Sequence, residues 1–107
     1  MNLIQRKCVP CEAGVMPFGE AEIKKYISSL KERWEVMDGK KISCDFKFKD
    51  FKDAMKFVNA VAALAESERH HPDMHIFYNK VNIELWTHAI GGLSENDFIL
   101  ASKIELI

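Results

Sequence analysis

Cysteine is scarce in this chain, with three residues among 107, and proline is equally rare, with three. An odd cysteine count argues against a closed disulfide framework and fits a reducing compartment. Five glycines and three prolines exclude collagen-like and low-complexity classes. No apolar run approaches the roughly 20 residues that span a bilayer, and the N-terminus reaches Arg6 and Lys7 without the apolar stretch of a signal peptide. The expectation is a cytoplasmic protein without membrane attachment. Fifteen basic and sixteen acidic residues leave a net charge of -1, so no broad positive field attracts phosphate backbones. Direct nucleic-acid binding is not expected.

What remains is an ordinary globular composition, 48% hydrophobic and 29% charged, in a chain of single-domain length. Residues 1–107 read as one domain, of which 1–18 form an extended arm, since two prolines and a glycine interrupt any periodicity there. Ile23, Tyr26, Ile27 and Leu30 recur at helical spacing and predict a first helix from about Glu20 to Glu32. Trp34 and Val36 lead into an Asp38-Gly39 turn, and Ile42, Cys44, Phe46 and Phe48 then alternate with polar residues as a half-buried strand does. Asp50 can cap a second helix whose stripe is Phe51, Ala54, Met55, Val58, Ala62 and Ala65, stopped by Pro72. Met74 to Tyr78 and Val81 to Thr87 form a second hairpin around Asn79-Lys80. Gly91-Gly92 breaks the chain, Ser94 to Asp97 has capping-box form, and Phe98 to Ile107 is a third helix. The predicted fold is α+β: helix, hairpin, helix, hairpin, helix, with four antiparallel strands and three helices on one face of the sheet.

The chemistry concentrates in histidine. Of four histidines, His70, His71 and His75 fall within six residues. Glu66 stands four residues before His70, so a helix persisting that far would stack the two and favour the protonated ring. A histidine so charged can give a proton at neutrality and take it back. Other readings are blander. His-His before proline is often only a polar helix end, Asp97 sits where a capping-box acid sits, and Trp34 and Trp86 are of a type that usually packs a core. Neither the histidines nor Cys8-x-x-Cys11 offers four-ligand metal spacing, so no metal site is expected.

Taken together, Glu66, His70-His71-Pro72, Tyr78-Asn79-Lys80-Val81, Thr87-His88, Gly92-Leu93-Ser94-Glu95 and Asp97 resemble, in identity and spacing, the pterin-4a-carbinolamine dehydratases. The likeness covers nearly the whole chain, including the Cys8-Val9-Pro10-Cys11 arm. It implies the fold already derived and a hydro-lyase reaction in which 4a-hydroxytetrahydrobiopterin loses water to give quinonoid dihydropterin. That reaction recycles the tetrahydrobiopterin of aromatic amino-acid hydroxylases, a functional partner, and uses no cofactor. By the same likeness His70 and His88 are the principal acid/base residues and His71 an assisting, substrate-binding one. Glu66 would orient and charge His70, Asp97 would support the far side of the site, and Trp34 and Pro72 would line the pocket. Three positions depart from the common family pattern. Met74 stands where an aromatic is frequent, Trp86 where a small residue is frequent, and Arg33 rather than glycine precedes Trp34.

The resemblance also implies a homodimer or homotetramer, for which the apolar last helix offers a surface. Two further readings belong to other classes. Animal members serve as dimerisation cofactors of a transcription factor, which suggests an interaction module. A pocket of this kind can also hold another pterin, such as a molybdenum-cofactor precursor.

Overall fold

A computed structural model describes residues 2–10 and 14–107. Seven elements follow in the predicted order: α1 (Glu20–Ile27), β1 (Glu35–Met37), β2 (Lys41–Lys47), α2 (Phe51–Glu68), β3 (Asp73–Phe77), β4 (Lys80–Leu85) and α3 (Glu95–Ile104). The four strands form one antiparallel sheet in the order β1-β2-β4-β3. Alternation decides its faces. Ile42 and Cys44 of β2 and Val81, Ile83 and Leu85 of β4 are buried in the core shared with the helices. The opposite face is polar, and there Asn82 Nδ2 donates to Ser43 Oγ and Asp45 Oδ1 at 2.9 and 2.8 Å. The chain is thus α+β, with three helices and a four-stranded antiparallel sheet, as the periodicities predict.

Helix caps explain the boundaries. Asp50 accepts from the Asp53 N–H at 2.8 Å, which satisfies one orphan donor at the start of α2. In α3 the predicted capping box is complete, with the Ser94 and Asp97 side chains serving each other's end of the first turn. The helix therefore starts at Glu95 and ends at Ile104, earlier at both ends than the pattern alone suggested. The second hairpin turns at Tyr78-Asn79, with Tyr78 at φ 52°, one residue before the predicted pair.

The first helix is shorter than expected, ending at Ile27 instead of about Glu32. Competing acceptors explain this. The Ser28 hydroxyl donates to the Lys25 carbonyl at 2.7 Å, and the backbone N–H groups of Lys31 and Glu32 go to the Glu105 carboxylate at 2.6–3.0 Å rather than to a preceding turn. The same carboxylate accepts from Trp34 Nε1 at 2.9 Å. Trp34 is 6% exposed, its ring edge against Phe46 at 6.0 Å between centroids. One acid after the last helix therefore pins the connector into β1.

The arm of residues 2–10 is not featureless. Leu3, within a short 3-10 turn of residues 3–5, is buried in the core, and Arg6 pairs with Glu95. Further on, Phe18 N–H donates to Leu93 O at 2.7 Å, and Pro17 lies so close to Gly92 that a Cβ there would meet the proline Cβ at 2.7 Å. Only glycine fits that crossing.

Glu105→Ala should lower stability by about 1–3 kcal/mol, because it strands the N–H of a buried indole together with two backbone donors. Urea unfolding followed by tryptophan fluorescence measures it. A loss below about 0.5 kcal/mol would mean that water replaces the carboxylate at no cost.

Candidate functional site

The end of α2 sets the geometry. The helix stops at Glu68 because Arg69 turns into the left-handed region, φ 54°, where its N–H and that of His70 close back onto carbonyls of Ala65 and Glu66. This is a Schellman-type ending with arginine where glycine is usual. The reversal overturns the expected Glu66–His70 stack. His70 leaves the helix axis and swings toward the start of α3, where its Nε2 meets Asp97 Oδ1 at 2.6 Å. Glu66 Oε2 is taken instead by Nε2 of His71, at 2.7 Å.

The two histidine–carboxylate pairs differ in kind. Asp97 is wholly buried and His70 nearly so, with 12% of its side chain exposed. The other Asp97 oxygen, Oδ2, accepts from the Thr87 hydroxyl at 2.8 Å and the Ser94 N–H at 2.9 Å. A buried carboxylate is tolerable only when hydrogen-bonded in this way. Asp97 is thus both the capping-box acid and the partner of His70. Since a carboxylate accepts, His70 carries its proton on Nε2 and turns Nδ1 to other uses. His71 and Glu66 are exposed by 63% and 77%, and such a surface pair contributes about 0–1 kcal/mol.

His88 enters from the other side. Beyond β4, Thr87 bridges to Gly92, and the tight loop between them, with Gly91 at φ 65°, carries His88 at its start. Trp86 stacks on the His88 ring at 3.9 Å and 24°, while its Nε1 donates to Asp73 Oδ2 at 3.3 Å. Among the described residues neither ring nitrogen of His88 has a hydrogen-bond partner.

His70, His71 and His88 all line one cavity of about 330 Å³, together with Pro72, Arg69, Asp73, Trp86, Thr87 and Asn96, and with Val9 and Pro10 from the arm. Groups from four separate stretches converge there. Trp34 is not brought to this cavity, because Glu105 and Phe46 hold it in the core. Glu66 reaches the cavity only through His71. His75, the third member of the sequence cluster, faces the polar side of the sheet near Glu84 at 3.5 Å, since strand alternation sends it away from the core. The aromatic wall is Trp86, which its type had marked as packing; its place two residues before His88 was the available signal. Asp73 and Arg69 were passed over as well, although both adjoin the histidine pair in the chain.

Cys8 sits on the arm. Burial, reinforced by the Glu68 carboxylate, pushes its thiol up to about 12, so it stays protonated at neutral pH. Burial also acts on Glu68 in the upward direction, but its hydrogen bond and charge contact with Lys103 and the Cys8 N–H outweigh it and hold the carboxyl below its usual range. Cys11 lies outside the described residues, so the Cys8-x-x-Cys11 pair cannot be followed further. No cluster of metal-binding side chains occurs among the described residues, and no described helix is long and apolar enough to cross a membrane.

Three histidines thus line one cleft of an α+β fold. Residues 16–107 match the family model described as pterin 4 alpha carbinolamine dehydratase, and the chain belongs to that family. It is 48% identical over 104 residues to a protein of Alkaliphilus metalliredigens (strain QYMF) named "Putative pterin-4-alpha-carbinolamine dehydratase", the match covering 97% of this chain and 94% of that protein. A transcriptional coactivator/pterin dehydratase from Brucella melitensis, known from a crystal structure, superposes with a TM-score of 0.78 at 35% identity, over 84% of this chain and 96% of that one. A pterin dehydratase-like RuBisCO assembly factor of the α-carboxysome shares the fold, with a TM-score of 0.59 at 23% identity over 71% of this chain and 87% of its own. Family and relatives together support a pterin carbinolamine dehydratase activity.

Left-handed arginine costs about 1 kcal/mol relative to glycine. Arg69→Gly should therefore raise stability by about 0.5–1 kcal/mol in urea unfolding, the gain being trimmed by the freer unfolded chain. An unchanged or lower midpoint would show that the arginine side chain stabilises the helix end by more than its backbone strains it.

Proposed function

We propose that this chain dehydrates 4a-hydroxytetrahydrobiopterin to quinonoid dihydropterin by histidine acid/base catalysis. The observation that carries the reading is the convergence of His70, His71 and His88 on one cavity. The reaction needs a proton delivered to the 4a-hydroxyl as its C–O bond breaks, while the N5 electron pair forms the C4a=N5 double bond and the N5 proton leaves. Water and the quinonoid ring result, and no electrons are exchanged with the protein. Two imidazoles on different sides of a flat ring suit the two proton movements.

In this reading His70 works through Nδ1, because Asp97 occupies its other nitrogen. Asp97 fixes the orientation of the ring through that bond. His88 is the opposite partner, with both nitrogens available and the ring held flat by Trp86. His71 and Pro72 hold the substrate, Glu66 orients His71 rather than His70, and Trp86 supplies the aromatic surface expected of Trp34. The chain's own side chains provide these proton steps without calling on a cofactor. The same reading places the protein in the cytoplasm as a homodimer or homotetramer, recycling the tetrahydrobiopterin of aromatic amino-acid hydroxylases.

Stopped-flow decay of synthetic 4a-hydroxytetrahydrobiopterin tests the proposal. Wild-type protein should accelerate the decay, and His70→Ala should lose a factor on the order of 10² or more, the scale of a proton-transfer residue. Equal rates for the two proteins, both at the spontaneous level, would sink it and favour a binding or interaction role.

A further inference from the structure

The arm at the cavity mouth is held in a way that the acid/base chemistry does not require. Asn96 is buried, and its side-chain amide pairs with both backbone groups of Val9: the Val9 N–H donates to Asn96 Oδ1 at 3.0 Å, and Asn96 Nδ2 donates to the Val9 carbonyl at 2.5 Å. One residue earlier, the Cys8 N–H donates to Glu68 Oε1 at 2.9 Å and the Cys8 thiol to the Asn96 carbonyl at 3.5 Å. Glu68 is itself locked to Lys103 of α3 at 2.5 Å. The arm thus bridges the end of α2 and the start of α3, where His70 and Asp97 meet.

The anchors are also neighbours in sequence of that pair. Asn96 directly precedes Asp97, and Glu68 stands two residues before His70. The bonds that hold the arm therefore fix Val9 and Pro10 in register with the proposed proton-transfer group. Both residues line the same cavity as the three histidines. They lie before residues 16–107, the part that matches the family model.

We propose that Val9 and Pro10 form an apolar wall that contacts the bound pterin, and that Asn96 is the positioning residue that holds the wall in place. The inference rests on the dehydratase reading for its ligand class. An apolar wall with few rotatable bonds excludes water and presses on a planar ring at little entropic cost, so its contribution falls on binding more than on the chemical step. Asn96 acts through the backbone of Val9, because a side-chain amide offers the donor and acceptor that a neighbouring strand would.

Three variants of the full chain test this: Asn96→Ala, the double substitution Val9→Gly/Pro10→Gly, and their combination. The double glycine variant keeps Leu3 in the core and both Cys8 anchors, so it remains informative if Asn96→Ala fails to fold. Affinity is read with 7,8-dihydrobiopterin by fluorescence titration, and KM and kcat with the carbinolamine. Each single variant should raise Kd and KM about tenfold with kcat changed less than about threefold. The combination should be no weaker than the double glycine variant alone, since Asn96 then has no wall left to hold. Unchanged Kd in the double glycine variant, or effects of the two changes that multiply, would overturn the wall. Dihydrobiopterin affinity that depends on the arm, in a protein without dehydration activity, would overturn the dehydratase reading and leave the wall standing.

Discussion

A carboxylate with no access to water organises the functional end of this molecule. Asp97 must find a hydrogen bond for every lone pair it can, because an ionised group stripped of solvent costs several kcal/mol unless it is compensated. It finds them in the Ser94 N–H, the Thr87 hydroxyl and the His70 ring. Those three come from the start of α3, the loop after β4 and the end of α2. Satisfying one buried acid therefore draws together three of the four segments whose side chains make the cavity. The Thr87 contact carries the loop that bears His88, and the His70 contact takes over where α2 ends. Site and core are the same construction.

The two histidines that follow one another in sequence are consequently unlike in behaviour. His70 is bound to a network in which Asp97 and Thr87 are buried, so its ring orientation is set by the fold. His71 meets Glu66 in solvent, where a charge pair is worth little and side-chain entropy competes with it. A fixed imidazole thus stands beside an adjustable one at the same cavity.

The architecture was legible because its signals are local and redundant. Ile42, Cys44 and Phe46 alternate; Ala54, Val58 and Ala65 repeat at helical spacing; Ser94 and Asp97 box a helix start. Each reports burial of one face, and burial is what holds those elements. The errors fall where the deciding atom is far away or conformationally silent. Nothing in an arginine side chain announces a left-handed backbone, so the sequence pattern predicts a Glu66–His70 stack that the reversal at Arg69 prevents. Likewise α1 ends short of the helical pattern because Glu105, more than 70 residues on, captures the N–H groups that would have continued it. That acid also decides the tryptophans. With Nε1 of Trp34 bound in the core, the aromatic wall falls to Trp86, whose position beside Thr87-His88 carried the hint that its composition class concealed.

Trp86 has a physical consequence for His88. The ring lies flat against the indole at 3.9 Å, and Asp73 holds the indole N–H, so a loop residue with no hydrogen bond among the described residues is still confined in angle. Stacking leaves both imidazole nitrogens unengaged, whereas a hydrogen bond would have consumed one. His70 is oriented by a carboxylate that occupies one nitrogen; His88 is oriented by a π-face that occupies none. One imidazole has a fixed tautomer and the other can take up either, an asymmetry that suits the proposed dehydration, in which one proton is given to an oxygen and a different one is removed from a nitrogen.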